Sequence, residues 1–567
     1  MTSPEFVCAN WHPDHTDCKK VGRYTCKNCY LVNYCGQMCQ KSHWPEHKLE
    51  CKSYLSKGTW QPTWVLERRE PTFIGDEMAE YFGENKYLWG NLPAIDLLRL
   101  GSNEGEGYDQ TLRVLFAASG DLRNLVKTIA QLPSSYSQPL EITVNDLDFD
   151  VVARNIVLLL LSLAVEEADE AVDCIIHLWY SAFVRESDID ILQRRVRPLI
   201  EDVCGKIKGK TAESLFAKTW KFGQRSLRVV LKKSSWSRLL HFMEVPASLT
   251  VERARMIRAA NTLAESRQDY RDRHMCCLSP SHRIAFNKFR HDGLLLPFGY
   301  PRHEFQVPNP TFFQTHNSWP MKDDADPRSG WSSKEVSDMS SGPATADIYG
   351  KLFLYIRGML QSFLGRLSEL DLSFRFFQLD ASQLPEHLMS NSFSRIEVSN
   401  ISDAGYMGIH ETLFSMLPLL QTPLDNPHAT LITLFMNAVE DTLTIGDRLE
   451  GLASHVTKRR LLRYLPNGPP TSPHSPEMVK LTAAHPMVTS YDYVFDRYSN
   501  IFSFREVGGV LSAAIKERHT IVDKWPFKLK LRPGQPGAQE EFDRCIGTNH
   551  TGKERYVEWE RVHQGMF

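Results

Sequence analysis

The sequence predicts an α/β protein in which a small metal-bound module precedes a doubly wound, mainly parallel sheet interrupted by a long helical insertion. Three observations predict it. Seven of the 12 cysteines lie at or before Cys51. Beyond residue 110, five short apolar runs are each followed by a turn, and apolar residues at helical spacing lie between them, the pattern of strand–helix units. Between the second and third of these runs, residues 151–345 carry mainly helical periodicity.

Composition limits the functional classes. A chain of 567 residues exceeds one ordinary core, and 42% hydrophobic with 24% charged residues is the balance of a protein with a buried interior. The net charge of −2 argues against broad capture of nucleic acid or an anionic membrane, and the run Lys458, Arg459 and Arg460 reads as a solvated face. The longest apolar run, residues 156–165, is about half of the ~20 residues a membrane span needs. Met1 to Glu5 lacks the basic start of a secretory leader. The expectation is an intracellular protein, cytoplasmic rather than nuclear. In a reducing compartment a dense local thiol cluster signals metal rather than disulfides. Cys174, Cys204, Cys276, Cys277 and Cys545 are too scattered for that role and read as core or surface thiols.

Residues 1–55 supply eight metal ligands, Cys8, Cys18, Cys26, Cys29, Cys35, Cys39, His47 and Cys51, enough for two tetrahedral zinc sites. Cys26 and Cys29 suit a tight knuckle. Cys35 with Cys39, and His47 with Cys51, fall on one face of a helical turn. His12 and His15 lie between Cys8 and Cys18 and are alternative ligands for either, whereas His43 reads as a surface residue. With every position supplied by protein, no coordination site is left for substrate, so both zincs are structural. Metal binding must supply most of this module's folding free energy.

The run Tyr34, Cys35, Cys39, Gln40, Trp44, His47 and Cys51 resembles the signature of the MYND finger family. That resemblance implies an interleaved pairing, with Cys8, Cys18, Cys35 and Cys39 on one zinc and Cys26, Cys29, His47 and Cys51 on the other. The first pair is spaced more widely here than in the family. The resemblance also implies a protein partner that docks a proline-containing peptide on Gln40 and Trp44, and Trp44 equally suits the module's small apolar core.

Residues 56–79, with Pro62 and Pro71, read as a linker into a globular domain whose parts are 80–150 and 346–567, flanking the insertion. The first strand, residues 113–119, runs into Gly120 and Asp121, and Leu122, Leu125, Val126 and Ile129 then recur at helical spacing. The second, residues 140–144, ends in Asn145, Asp146, Leu147 and Asp148. An acid there is where nucleotide-binding α/β folds hold ribose hydroxyls, because a carboxylate accepts two hydrogen bonds from a diol. A third strand, 373–379, ends at Asp380; a fourth, 394–398, leads into Asn400; a fifth covers 429–435. Within the insertion, Arg283, Arg290 and Asp292 are candidates to reach into the cleft, although ties between helices through surface ion pairs are the favoured reading. Residues 319–347 and 466–476, rich in Ser, Asp, Gly and Pro, read as mobile loops.

This order of strand, turn, helix, strand and acid resembles S-adenosylmethionine-dependent methyltransferases and implies a methyltransferase-like Rossmann sheet. By that resemblance Ser119 and Gly120 approach the methionine moiety, Asp146 or Asp148 the ribose, Asp380 the adenine and Asn400 the methyl acceptor. Trp89 to Asp96, Phe116 to Asn124, and Asn145 with Asp146 resemble a family of fungal MYND proteins and the N-terminal part of dynein axonemal assembly factor 3. Two functions follow from these resemblances. One is an adaptor, an assembly factor on a degenerate methyltransferase-like body. The alternative is a protein methyltransferase using S-adenosylmethionine. The first turn favours the adaptor: those enzymes bring backbone to the cofactor with two or three glycines, and the turn from Ala117 to Asp121 has one.

Overall fold

The computed structural model describes residues 6–12, 16–74, 82–314, 317–453, 455–465, 470 and 472–562. Its frame is a nine-stranded sheet: β1 (Leu112–Phe116), β2 (Leu140–Asn145), β3 (Leu215–Phe222), β4 (Arg225–Lys232), β5 (Leu372–Phe377), β6 (Arg395–Glu397), β7 (Thr430–Phe435), β8 (Ala513–Ile515) and β9 (Arg555–Arg561). The spatial order is β8-β9-β7-β6-β1-β2-β5-β4-β3. The six strands from β7 to β4 run parallel, whereas β9 is antiparallel to β7 and to β8, and β3 is antiparallel to β4.

Both sheet faces are covered, which is why the central strands are almost wholly apolar. In β1 the two-residue period sends Val114 and Phe116 into one core and Leu115 with Ala117 into the other. The first core takes the helices Arg123–Ala130, Phe149–Ala164 and Ile348–Glu369. The second takes Gly408–Met416, Asp492–Ile501 and Phe504–Val510. Caps fix the helix starts. Asp148 accepts from the amides of Asp150 (2.7 Å) and Val151 (3.3 Å), and Asp347 from those of Gly350 (2.8 Å) and Phe298 (2.6 Å).

The five strands expected from the sequence are β1, β2, β5, β6 and β7. The insertion departs from expectation in two ways. It is not only helical, because the hairpin β3–β4 inside it extends the sheet beside β5. Its Ser- and Asp-rich stretch 319–347 is packed rather than loose: Trp319, Met321 and Trp331 are buried, and Asp326 accepts from Tyr349 (2.8 Å) and pairs with Arg328. Polar residues there satisfy one another, so composition alone misleads. Of the other stretch expected to be mobile, residues 466–469 and 471 lie outside the described residues.

The stretch read as a linker is also packed. Trp60 and Trp64 are buried, Thr63 donates its amide to Asp272 (2.7 Å), and Arg69 makes a two-pronged contact with Asp269 (2.6 and 2.8 Å). The metal module itself is seated on the insertion. Lys288 pairs with Glu50 (2.6 Å), Arg283 donates to the carbonyls of Leu55 (3.0 Å) and Lys57 (2.8 Å), and the Ala346 amide donates to Tyr30 (3.0 Å). A Cβ on Gly299 would sit 2.8 Å from that of Ala9, a measure of how closely the two surfaces approach. Among the described residues no helix is long and apolar enough to cross a membrane.

Candidate functional site

A cleft of about 810 Å³ opens at the carboxyl ends of the parallel strands. Chain order reverses between β1 and β6, and ligands of open α/β sheets bind beside such a reversal. The loops after β1, β2, β5, β6 and β7 all line it, so Ser119, Gly120, Asp146, Asp148, Asp380 and Asn400 come together in one place.

Most of these residues also hold the cleft's own wall. Asn145, buried at the end of β2, donates to the carbonyls of Ala117 (2.8 Å) and Leu379 (3.1 Å) and accepts from the Leu379 amide (3.0 Å), clamping three strand ends. The carboxylate of Asp146 takes the amides of Gly120 (2.9 Å) and Asp148 (3.0 Å), and burial pushes its pKa up to about 6. Asp148 is the helix cap already described. Asp380 accepts from the amide (3.0 Å) and hydroxyl (2.6 Å) of Ser382, which hold its pKa down. Gly120 has φ +55°, a left-handed conformation that favours glycine, and its carbonyl receives Asn155 (2.7 Å). Ser119 is buried, while Asn400 is half-exposed beside Ser399.

Sequence reasoning passed over the second half of this wall. Asp121 takes the Gly90 amide (2.9 Å) and the Arg123 guanidinium (2.6 Å), and Arg123 also donates to the Leu92 carbonyl (2.8 Å). A Cβ on Gly90 would lie 2.2 Å from that guanidinium, so the glycine admits the arginine. The recurrence of Gly90, Asp121 and Arg123 within two of the singled-out segments was the available signal. At the end of β6, Glu397 is buried, its carboxylate accepts from the Ser399 amide (2.8 Å), and burial pushes its pKa up to about 7.

The metal ligands form two closed groups, Cys8, Cys18, Cys35 and Cys39, and Cys26, Cys29, His47 and Cys51, the ligand atoms of each within 4.8 Å of one another. In the first, Sγ atoms stand 3.7 Å (Cys18 and Cys35), 3.4 Å (Cys35 and Cys39) and 3.7 Å (Cys39 and Cys18) apart. In the second, Cys26 and Cys51 are 3.7 Å apart and Cys29 lies 3.4 Å from His47 Nε2. A Zn–S bond of about 2.3 Å implies a tetrahedron edge of about 3.8 Å, so both groups fit zinc. Asn28 donates to Cys51 Sγ (3.1 Å), stabilising a thiolate there. Among the described residues the wide first pair completes a four-cysteine group, and His15 and the side chain of His12, the alternative ligands, lie outside them.

Residues 8–51 are a MYND finger. Residues 88–184 match a domain of unknown function, DUF4470. Over the finger region the chain is similar to N-lysine methyltransferase SMYD2-B of Xenopus laevis, 43% identical over 53 residues, 9% of this chain and 12% of that one. Similarity to N-lysine methyltransferase SMYD2 of Mus musculus is 42% over 70 residues, 11% and 16% of the two chains. To SET domain and MYND-type zinc finger protein 6 of Schizosaccharomyces pombe it is 49% over 35 residues, 6% and 7%. The chain therefore spans no more than 16% of any of these three relatives. No solved structure matches.

In the MYND finger the helix Gln37–Cys51 carries Gln40 and Trp44 one turn apart on one stripe, both half-exposed. Trp44 meets His47 edge-on (6.0 Å) and lies under the Lys52 ammonium (5.5 Å). It therefore packs against a metal ligand and keeps part of its surface exposed. A second stripe of the same helix, Met38, Pro45 and Leu49, is exposed, with Met38 at 81% and Leu49 at 72%. His43 accepts from or donates to the Tyr34 hydroxyl (2.9 Å) and belongs to neither metal group.

Proposed function

We infer that this chain is a zinc-stabilised adaptor. Its MYND finger docks a peptide, proline-containing by family resemblance, on Gln40 and Trp44, and its large methyltransferase-like body serves as a rigid scaffold for assembling a complex. One observation carries the reading: the two closed ligand groups leave no open position for chemistry, yet the helix of the finger turns exposed Met38 and Leu49 and half-exposed Trp44 to solvent. In the body, the carboxylates expected to meet ribose and adenine already bind backbone amides, which supports a cofactor turn that no longer serves transfer.

The test is a screen of proline-containing peptides against the zinc-loaded full chain, repeated with Gln40→Ala and Trp44→Ala. Peptide capture lost in both variants, at unchanged zinc content, supports the reading. Capture that ignores both substitutions refutes it.

The strand order and the open cleft favour a second reading, an S-adenosylmethionine-dependent methyltransferase with Asn400 beside the acceptor. Micromolar binding of S-adenosylmethionine, abolished by a substitution at Asp146, would overturn the adaptor in its favour.

A further inference from the structure

One edge of the large sheet is open. The strand β3 is the last of that sheet and pairs only with β4. The turn at Gly223 and Gln224 makes Phe222 and Arg225 a hydrogen-bonded pair, and at the other end the Lys233 amide donates to the Ser214 carbonyl (2.9 Å) in the same alternation. Even-numbered residues of β3 therefore bond to β4, and the amides and carbonyls of Leu215, Ala217, Thr219 and Lys221 point away from the sheet. Among the described residues nothing receives them. The two faces of this edge differ in chemistry. On one, Phe216 and Phe222 are half-buried against the core beside buried Trp220. On the other, exposed Lys221 lies with exposed Arg228 of β4 and exposed Arg375 of β5, and among the described residues none of the three has an acid partner.

Arg228 and Arg375 stand side by side in the register of β4 and β5, and Thr219 completes their row at the edge. Like charges so placed repel each other. A charge on an edge strand can serve simply to keep other strands away, but these arginines sit on the second and third strands, where the edge needs no such guard. An open edge takes up an extended chain through main-chain hydrogen bonds, and side-chain chemistry selects which chain. We propose that β3 docks an extended peptide segment in which acidic and apolar residues alternate. Its acids lie on the face of Lys221, Arg228 and Arg375, and its apolar residues beside Phe216 and Phe222. A second copy of this chain is a poor occupant, because pairing two β3 edges would extend the same cationic face. The site is separate from the finger and stands whether or not Gln40 and Trp44 hold a peptide.

The experiment titrates the zinc-loaded full chain at low ionic strength with a capped peptide of alternating Glu and Val, about ten residues long to match a strand. Its Lys-for-Glu counterpart and a single-stranded oligonucleotide serve as comparison probes, and amide hydrogen exchange is followed throughout. The Glu peptide should bind and slow exchange in the segment 215–222, whose outward amides it covers. Ala217→Pro removes one outward amide and obstructs the incoming strand while sparing the bonds to β4, so the variant should fold as the parent does. It should weaken binding by about tenfold. The double variant Arg228→Gln, Arg375→Gln leaves the strands intact and should weaken binding by about fivefold through lost exposed charge pairs. No binding of the Glu peptide at millimolar concentration, equal binding of the Lys peptide, binding without slowed exchange at 215–222, or an affinity unmoved in both variants would each overturn the proposal. Tighter binding of the oligonucleotide would overturn it in favour of nucleic acid, and a dimer abolished by Ala217→Pro in favour of a second copy.

Discussion

Asn145 is the residue whose replacement tests the architecture of the cleft most directly. Its side chain makes three hydrogen bonds, of 2.8, 3.1 and 3.0 Å, to Ala117 and Leu379, across the ends of β1, β2 and β5. At about 1 kcal/mol for each such bond, Asn145→Ala should cost about 3 kcal/mol. Asn145→Asp has the same shape but places an oxygen where the amide nitrogen faces two carbonyls. At high pH it loses two bonds and adds repulsion, so it should fall below the alanine variant. Once protonated, it regains one donor. The new carboxyl therefore has a folded pKa raised above the ordinary value of about 3.9. The native state then holds a proton that the unfolded chain releases, and stability declines as pH rises from about 4 to that raised pKa. Urea unfolding of the zinc-loaded chain, followed by tryptophan fluorescence at pH 5 and pH 8, reads both effects. Equal midpoints for the aspartate and alanine variants at both pH values, or either variant matching the parent, would refute the clamp.

Three further outcomes are expected. Gly90→Ala drives a methyl against the Arg123 guanidinium at 2.2 Å and should lower stability by about 2 kcal/mol in thermal melts, with the zinc content unchanged. Glu397, held near 7 by burial, lends stability at low pH that is lost as pH rises from about 4.5 to 7, so Glu397→Gln should flatten that part of the pH–stability curve relative to the parent. Metal analysis should give about two zincs per chain, and chelation should lower the melting temperature of the body as well as the finger, because their cores are continuous; a body transition unmoved by chelation would contradict the seating of the finger on the insertion.

The parts legible in the sequence were those written locally. Eight ligands within 44 residues announce metal because thiolates at such spacings have few other uses. The five parallel strands are apolar runs followed by turns, and the acids and amides after them sit where strand ends converge. What escaped was set by distant partners. The strands β3 and β4 carry Lys218, Lys221, Arg225, Arg228 and Lys232, too polar to read as sheet, and become sheet because β4 lies in register with β5, Arg228 opposite Arg375. Residues 56–74 look like a tether until Asp269 and Asp272, some two hundred positions away, receive them. Arg123 reads as an ordinary helical charge, and its depth follows only from the hollow above Gly90.

The seating of the finger changes what recruitment means for this chain. A partner held by a finger on a loose tether would sample a volume set by linker length. Here the ion pair of Lys288 with Glu50 and the arginine-bound turn at Leu55 and Lys57 fix its bearing. On the adaptor reading we propose, a protein captured on the outer helix would meet the rest of the molecule at one angle and one distance, and the finger would then act as a jig for alignment rather than as a lure.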